Sequence, residues 1–154
     1  SPWRLDYILS EKTRDCILCD QEPALDKERL VVYRSRHCYV MINRYPYNNG
    51  HVMCVPYVHV SSLSDLSDAI LSDLIKTLRD CETVMNKVYL CDGINMGLNL
   101  GSAAGAGITD HLHFHVIPRW VGDSSFMTIV SGERIIPEAF ERTYARLGEA
   151  FSEL

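Results

Sequence analysis

The sequence predicts an α+β domain, a mainly antiparallel five-stranded sheet carrying one long helix and one C-terminal helix. Three observations lead there. Short β-rich runs crowd the first third of the chain, a long stretch then switches to helical spacing, and two more β-rich runs precede a terminal helix. Strand and helix do not alternate throughout, which separates this pattern from doubly wound nucleotide folds. The 154 residues suit one domain, 1–154, built on a single core.

Residues 30–34 (Leu-Val-Val-Tyr-Arg) and 38–42 (Cys-Tyr-Val-Met-Ile) are rich in β-branched and aromatic side chains. Only Ser35, Arg36 and His37 separate them, which is a hairpin signal. Residues 44–50 (Arg-Tyr-Pro-Tyr-Asn-Asn-Gly) carry turn chemistry and lead into a third strand over 51–56. From Ser67 the period changes. Ile70, Leu71, Leu74, Ile75, Leu78, Cys81, Met85 and Val88 recur three and four residues apart, with charged side chains on the other face. Ser64 or Ser67 caps this helix, Asp65 and Asp68 suit its positive end, and Asp92-Gly93 stops it. Strands follow at 94–98 and 113–118, joined through the small-residue loop 101–107 (Gly-Ser-Ala-Ala-Gly-Ala-Gly). The last helix covers 137–151, with Pro137 in its first turn.

Composition excludes several classes. The net charge of -5, with no long run of either sign, argues against a surface for a nucleic-acid polymer. No apolar stretch reaches the roughly 18–20 residues of a membrane helix. The first residues lack the charged and apolar regions of a secretory signal, and the expected address is the cytoplasm. Cys38, Cys54, Cys81 and Cys91 sit inside apolar runs and read as small buried hydrophobes. Cys16-x-x-Cys19, among polar residues, reads as metal or redox chemistry in a reducing compartment.

Three of the six histidines lie in five residues, His111-Leu-His113-Phe-His115. On a strand they share one face, roughly 6.5–7 Å apart, while Leu112, Phe114 and Val116 share the other. Burying three imidazoles on one face requires a partner for each, so a purely structural role explains them poorly. Two chemistries remain: ligands of a catalytic metal, or a nucleophilic histidine oriented by its neighbours. The loop 101–107 is neither a dinucleotide fingerprint nor a Walker loop. Beside a histidine face, its uncovered amides suit phosphate oxygens. Together these features suggest attack on a phosphoanhydride through a nucleotidyl-histidine.

The run His111-Leu-His113-Phe-His115-Val-Ile resembles the signature of the histidine triad (HIT) superfamily. The stretch from Cys38 to Val52 resembles that family's nucleoside-binding strand and turn, Tyr57-Val-His59 precedes the long helix as in the family, and 99–107 resembles its phosphate loop. Trp3-Arg-Leu-Asp-Tyr and the residues up to Trp120 extend the likeness over nearly the whole chain. Residues 126–130 and 136–138 resemble bacterial members similar to diadenosine tetraphosphate phosphorylases.

The resemblance implies a HIT-like fold and assigns roles. His113 is the nucleophile on the α-phosphorus, and His115 bonds phosphate oxygens and the leaving group. Asn99 and the amides of Gly105, Ala106 and Gly107 position the phosphates. Asn43 holds the ribose hydroxyls, His51 lies beside the pocket, and Tyr39, Met41 and Ile42 sit near the base. Ala106 stands where several relatives carry a polar side chain, so Ser102 or Thr109 substitutes in recognising the leaving group. In zinc-containing relatives a histidine before the helix and the first triad histidine complete a C-x-x-C site. Here that implies structural zinc on Cys16, Cys19, His59 and His111, with no organic cofactor, and Cys16→Ser costing stability more than chemistry.

The implied substrate is an adenosine polyphosphate such as diadenosine tetraphosphate, cleaved by phosphorolysis or hydrolysis. The tail implies phosphate as acceptor; histidine rather than glutamine at 115 implies water. The implied assembly is a homodimer, or a tetramer in the phosphorylase-like branch. Three alternatives stand beside this reading. A nucleoside phosphoramidate hydrolase cleaves a smaller leaving group. A metallohydrolase binding its metal through His111, His113 and His115 loses activity to chelators while its fold persists. A nucleotide-binding regulatory module binds tightly without turnover.

Overall fold

The structure, a computed structural model, describes residues 16–19, 22–123 and 138–154. The family-like segments at 3–7 and 126–130, and Pro137, lie outside them. Five strands form one sheet: β1 (Val31–Arg34), β2 (Cys38–Ile42), β3 (Val52–Pro56), β4 (Gly93–Gly97) and β5 (Phe114–Arg119). Their spatial order is β1-β2-β3-β5-β4, and every neighbouring pair is antiparallel. Each strand lies within one residue of its expected bounds. A four-residue helix α1 (Asp26–Arg29) precedes β1, too short to leave a periodic signal in the sequence. The long helix α2 spans Asp68–Tyr89 and the C-terminal helix α3 spans Phe140–Ser152.

The central strands β2 and β3 are buried at every position, because both faces of the sheet are covered. Cys38, Val40, Ile42, Val52 and Cys54 point to the helix side, where they join Leu74, Leu78, Cys81, Val84 and Met85 of α2. Tyr39, Met41, Met53 and Val55 point the other way and pack with Leu18 and Val31. Strand alternation thus divides two cores. Helix α3 lies beside α2 and β1, and its Phe151 stacks on Tyr33 with ring centroids 4.9 Å apart. The β1–β2 link is pinned to α2: the Asp73 carboxylate accepts from the Ser35 hydroxyl at 2.6 Å and from the His37 amide at 2.8 Å.

Ser67 caps α2, its hydroxyl accepting from the Ile70 amide. The helix ends at Tyr89, before the expected stop at Asp92-Gly93. Leu90 adopts a left-handed conformation (φ 48°) and Gly93 opens β4 instead. Two apolar assignments also shift outward: Ile75 is 60% exposed, and Cys91 is half-buried beside the Asn86 side chain. Helix α3 begins at Phe140, three residues later than expected.

The turn 43–51 ends in Gly50, whose φ of +76° places it in the region that suits glycine. A Cβ there would lie 2.4 Å from the ring of Tyr89. The turn therefore reaches its place only because α2 ends in an aromatic ring against bare backbone. Gly50→Ala should cost about 2–4 kcal/mol, from the left-handed backbone plus the clash. In a Tyr89→Ala background the cost should shrink to about 1–2 kcal/mol. Urea denaturation of the four proteins measures both, and equal costs in the two backgrounds would remove the clash.

Candidate active site and metal centre

Sheet pairing sets the histidine row. Val116 is fully buried in the helix-side core, and Leu112 beside it is 4% exposed. With these two side chains committed, His111, His113 and His115 face the opposite side. Strand β5 begins at Phe114, so His113 stands one residue ahead of it and His111 at a bend two residues earlier. Across the sheet Met41 pairs with Met53, Met53 with His115, and His115 with Gly97. Strand β5 is thus flanked by β3 and by the edge strand β4.

Each imidazole has its tautomer set by a neighbour. His113 Nδ1 lies 2.9 Å from the carbonyl of His111, which only accepts, so Nδ1 carries the proton and Nε2 keeps its lone pair. The His51 Nδ1 accepts from the Tyr47 amide at 3.1 Å, so His51 Nε2 holds the proton. That Nε2–H donates to His115 Nδ1 at 2.9 Å and leaves His115 Nε2 protonated. A lone pair on His113 and an N–H on His115 therefore stand side by side, ring centroids 5.0 Å apart. Burial, and then the neighbouring His115 and His113, hold the His51 imidazole down to about 3. His115 is lowered too, by burial and then by His113. A cluster of histidines kept neutral suits nucleophilic rather than cationic chemistry.

The remaining expected residues divide. Asn43 joins the row: its Oδ1 accepts from the Tyr45 amide at 2.9 Å, and its Nδ2 is 3.4 Å from His51 Nε2. Met41 faces the histidine side, whereas Ile42 faces the helix-side core. Tyr39 is fully buried with its hydroxyl donating to the Leu18 carbonyl at 2.7 Å. The Tyr39 hydroxyl is thus committed to Leu18, while Ile42 lines a small cavity with Asn48, Gly50, His51 and Phe140. Asn99 is exposed and reaches over Gly105. In the loop, the amides of Ala104, Gly105 and Ala106 turn back onto the carbonyls of Gly101 and Ser102, so the expected cradle is folded inward at 105 and 106. The backbone groups of Tyr47, Pro56 and His111 set the tautomers. Side-chain patterns carry no sign of such groups, although the turn residues before His51 marked the place.

Cys16, Cys19, His59 and His111 come together at the other end of the row, their ligand atoms all within 4.8 Å of one another. Cys19 Sγ is 3.0 Å from His59 Nδ1 and 3.3 Å from His111 Nδ1, and Cys16 Sγ is 3.6 Å from His111 Nδ1. Ligand atoms of a tetrahedral Cys2His2 zinc site stand about 3.3–3.8 Å apart, given bonds of about 2.0–2.3 Å. The residues present fit such an ion. His111 is pre-set for it: Nε2–H donates to the Pro56 carbonyl at 2.8 Å, turning the Nδ1 lone pair toward the thiols. Burial, and then Cys16, push the Cys19 thiol up to about 12.

A family model described as HIT domain matches residues 24–121. An AP-4-A phosphorylase of Mycobacterium tuberculosis (strain H37Rv) is 38% identical over 152 residues, covering 93% of this chain and 78% of the relative. The asymmetrical bis(5'-nucleosyl)-tetraphosphatase of Schizosaccharomyces pombe is 34% identical over 103 residues, 67% of this chain and 56% of its own. Among solved structures, a zinc-bound histidine triad family protein from Mycobacterium smegmatis superposes with a TM-score of 0.72 at 23% identity. It covers 92% of this chain and 96% of that one. At that identity the likeness concerns the fold alone.

The buried neutral histidines make stability pH-dependent in a known direction. The unfolded chain protonates His51 as pH falls through about 6.5, whereas the folded chain resists until about 3. Stability should therefore be fully present above pH 6.5 and decline steadily below it. His51→Gln should flatten that decline between pH 6.5 and 4.5, above the range where carboxylates contribute. Thermal denaturation across this window checks it, and an unchanged slope in the variant would remove His51 from the account.

Proposed function

The chain belongs to the HIT family, and from that premise we propose that it cleaves a dinucleoside polyphosphate of the diadenosine tetraphosphate type through a nucleotidyl-His113 intermediate. The observation that carries this reading is the 2.9 Å bond from His113 Nδ1–H to the His111 carbonyl, which leaves Nε2 free to attack. In the first step the Nε2 lone pair forms a bond to the α-phosphorus. The bond from phosphorus to the bridging oxygen breaks, and His115 Nε2–H donates to that departing oxygen. In the second step an acceptor oxygen attacks phosphorus, the nitrogen–phosphorus bond breaks, and His113 is regenerated. Inorganic phosphate as acceptor yields ADP, with ATP as the first product; water would yield AMP. The 38% identical phosphorylase supports the phosphate route.

Asn43 holds the ribose, with His51 beside it and Met41 against the base. Tyr39 and Ile42 back this pocket from within the two cores. Asn99 bonds the phosphates, and Gly107 and Ala106 offer amides once the loop opens around them. Ala106 itself makes no side-chain contact to a leaving group, a task left to Ser102 or Thr109. Cys16, Cys19, His59 and His111 would hold zinc, which would supply a structural link and leave the phosphate chemistry to the other residues. The zinc-bound structural neighbour supports that assignment. The chain works as a single domain in a reducing cytoplasm. Two copies pair through β4, the outer strand, whose Gly93, Asn95, Met96 and Gly97 are exposed and which pairs only with β5 among the described residues.

The test is product analysis by mass spectrometry after incubation with diadenosine tetraphosphate, with and without inorganic phosphate. ADP plus ATP, formed only with phosphate, is expected. AMP plus ATP in both would replace phosphorolysis by hydrolysis, and no cleavage would reject this substrate class. His113→Ala should lower kcat/KM by about 1,000-fold or more with an unchanged thermal midpoint. Sedimentation of the same preparation should give a dimer, and a monomer at micromolar concentration would remove the β4 pairing.

A further inference from the structure

The ladder of strand β5 pairs with β3 from Phe114 onward, opposite Cys54. His113, one residue earlier, is therefore ahead of that ladder. It is held between two anchors: the sheet at Phe114 and whatever fixes residues 111 and 112. Residue 112 is fixed by its amide, which donates to the Val60 carbonyl at 2.7 Å, and by its buried side chain. Residue 111 is held by its buried imidazole, between the Pro56 carbonyl at 2.8 Å and the two thiols. The partners converge again, since Val60 directly follows His59, the fourth member of the cluster. The carbonyl that sets the tautomer and aim of His113 thus belongs to a residue whose side chain sits in the metal cluster.

Resting on the nucleotidyl-His113 reading, we infer that Cys16, Cys19 and His59 are positioning residues for the nucleophile. By gripping a metal ion together with His111, they fix the His111 carbonyl that holds His113 in register for attack. The cluster is then more than a staple for the N-terminal segment, and its loss costs chemistry as well as stability. The second arm of the site provides an internal reference. His115 lies within β5, and its bonds run through His51 to Tyr47 without touching the cluster. Releasing the cluster should disturb His113 and spare His115.

The experiment uses the full chain loaded with zinc, the same chain depleted by chelator, Cys16→Ser, and Cys16→His, which retains a nitrogen ligand at that position. Each is measured for metal content, for kcat and KM, and by histidine-selective nitrogen NMR, at a temperature well below unfolding. On metal loss the single Nδ1–H tautomer of His113 should give way to exchange, while the His51 and His115 signals persist. kcat should fall about 10- to 100-fold, the size of effect that a displaced reacting group produces, with KM changed less than about threefold. Zinc-loaded Cys16→His should recover both the spectrum and kcat. An unchanged His113 spectrum and kcat in metal-depleted protein would overturn the inference, as would loss of the His115 and His51 signals together with that of His113. Metal-bound Cys16→His without recovery would count against it as well. If the loaded protein turns over no nucleotide, the functional reading fails, and the spectra alone then decide the positioning.

Discussion

Two apolar side chains govern the site. Leu112 and Val116 have to enter the core beneath α2, and a strand sends alternate residues to opposite faces. His111, His113 and His115 are therefore obliged to share the far side. A slip of one residue would drive three imidazoles into the helix-side core and expose the apolar set, so the register is strongly specified. The pairing of Met53 with His115, and of Met41 with Met53, carries the same constraint across to β2. The turn 43–51, the histidine row and the loop after β4 are placed by that one ladder.

Backbone polar groups then give identical side chains different chemistry. A carbonyl at Pro56 leaves the His111 lone pair on Nδ1, a carbonyl at His111 leaves the His113 lone pair on Nε2, and an amide at Tyr47 leaves an N–H on His115 through His51. None of these assignments requires a charged neighbour. Burial keeps the His51, His111 and His115 imidazoles below their ordinary range, so these three groups stay neutral at physiological pH. Directed donors and lone pairs in a partly dry site need little reorganisation as charge develops on phosphate oxygens.

The strands were legible because β-branched and aromatic side chains run together, as in Cys38–Ile42, and the long helix because a 3.6-residue period survives in Asp68–Tyr89. The four residues of the metal cluster were legible through resemblance, and the structure brings all four together. Three kinds of detail escaped. Helix ends moved because Leu90 takes the left-handed turn that Gly93 was expected to make, a choice that packing decides against local propensity. Alternation sets Met41 and Ile42 on opposite faces, yet which face each takes is decided only by packing. The inward turn of the loop amides at 104–106 depends on backbone dihedrals at Gly101 and Gly105, which residue identity permits but does not choose.

In the proposed reaction His113 Nε2 becomes covalently bonded to phosphorus during turnover. Rapid quench of the protein with diadenosine tetraphosphate in the absence of phosphate, followed by peptide mass spectrometry under mildly alkaline conditions, tests this directly. An adenylyl group on His113 is expected, absent in His113→Ala and discharged as ADP when phosphate is added before the quench. Turnover with no protein-bound nucleotide at any time, or a label on another residue, would contradict it.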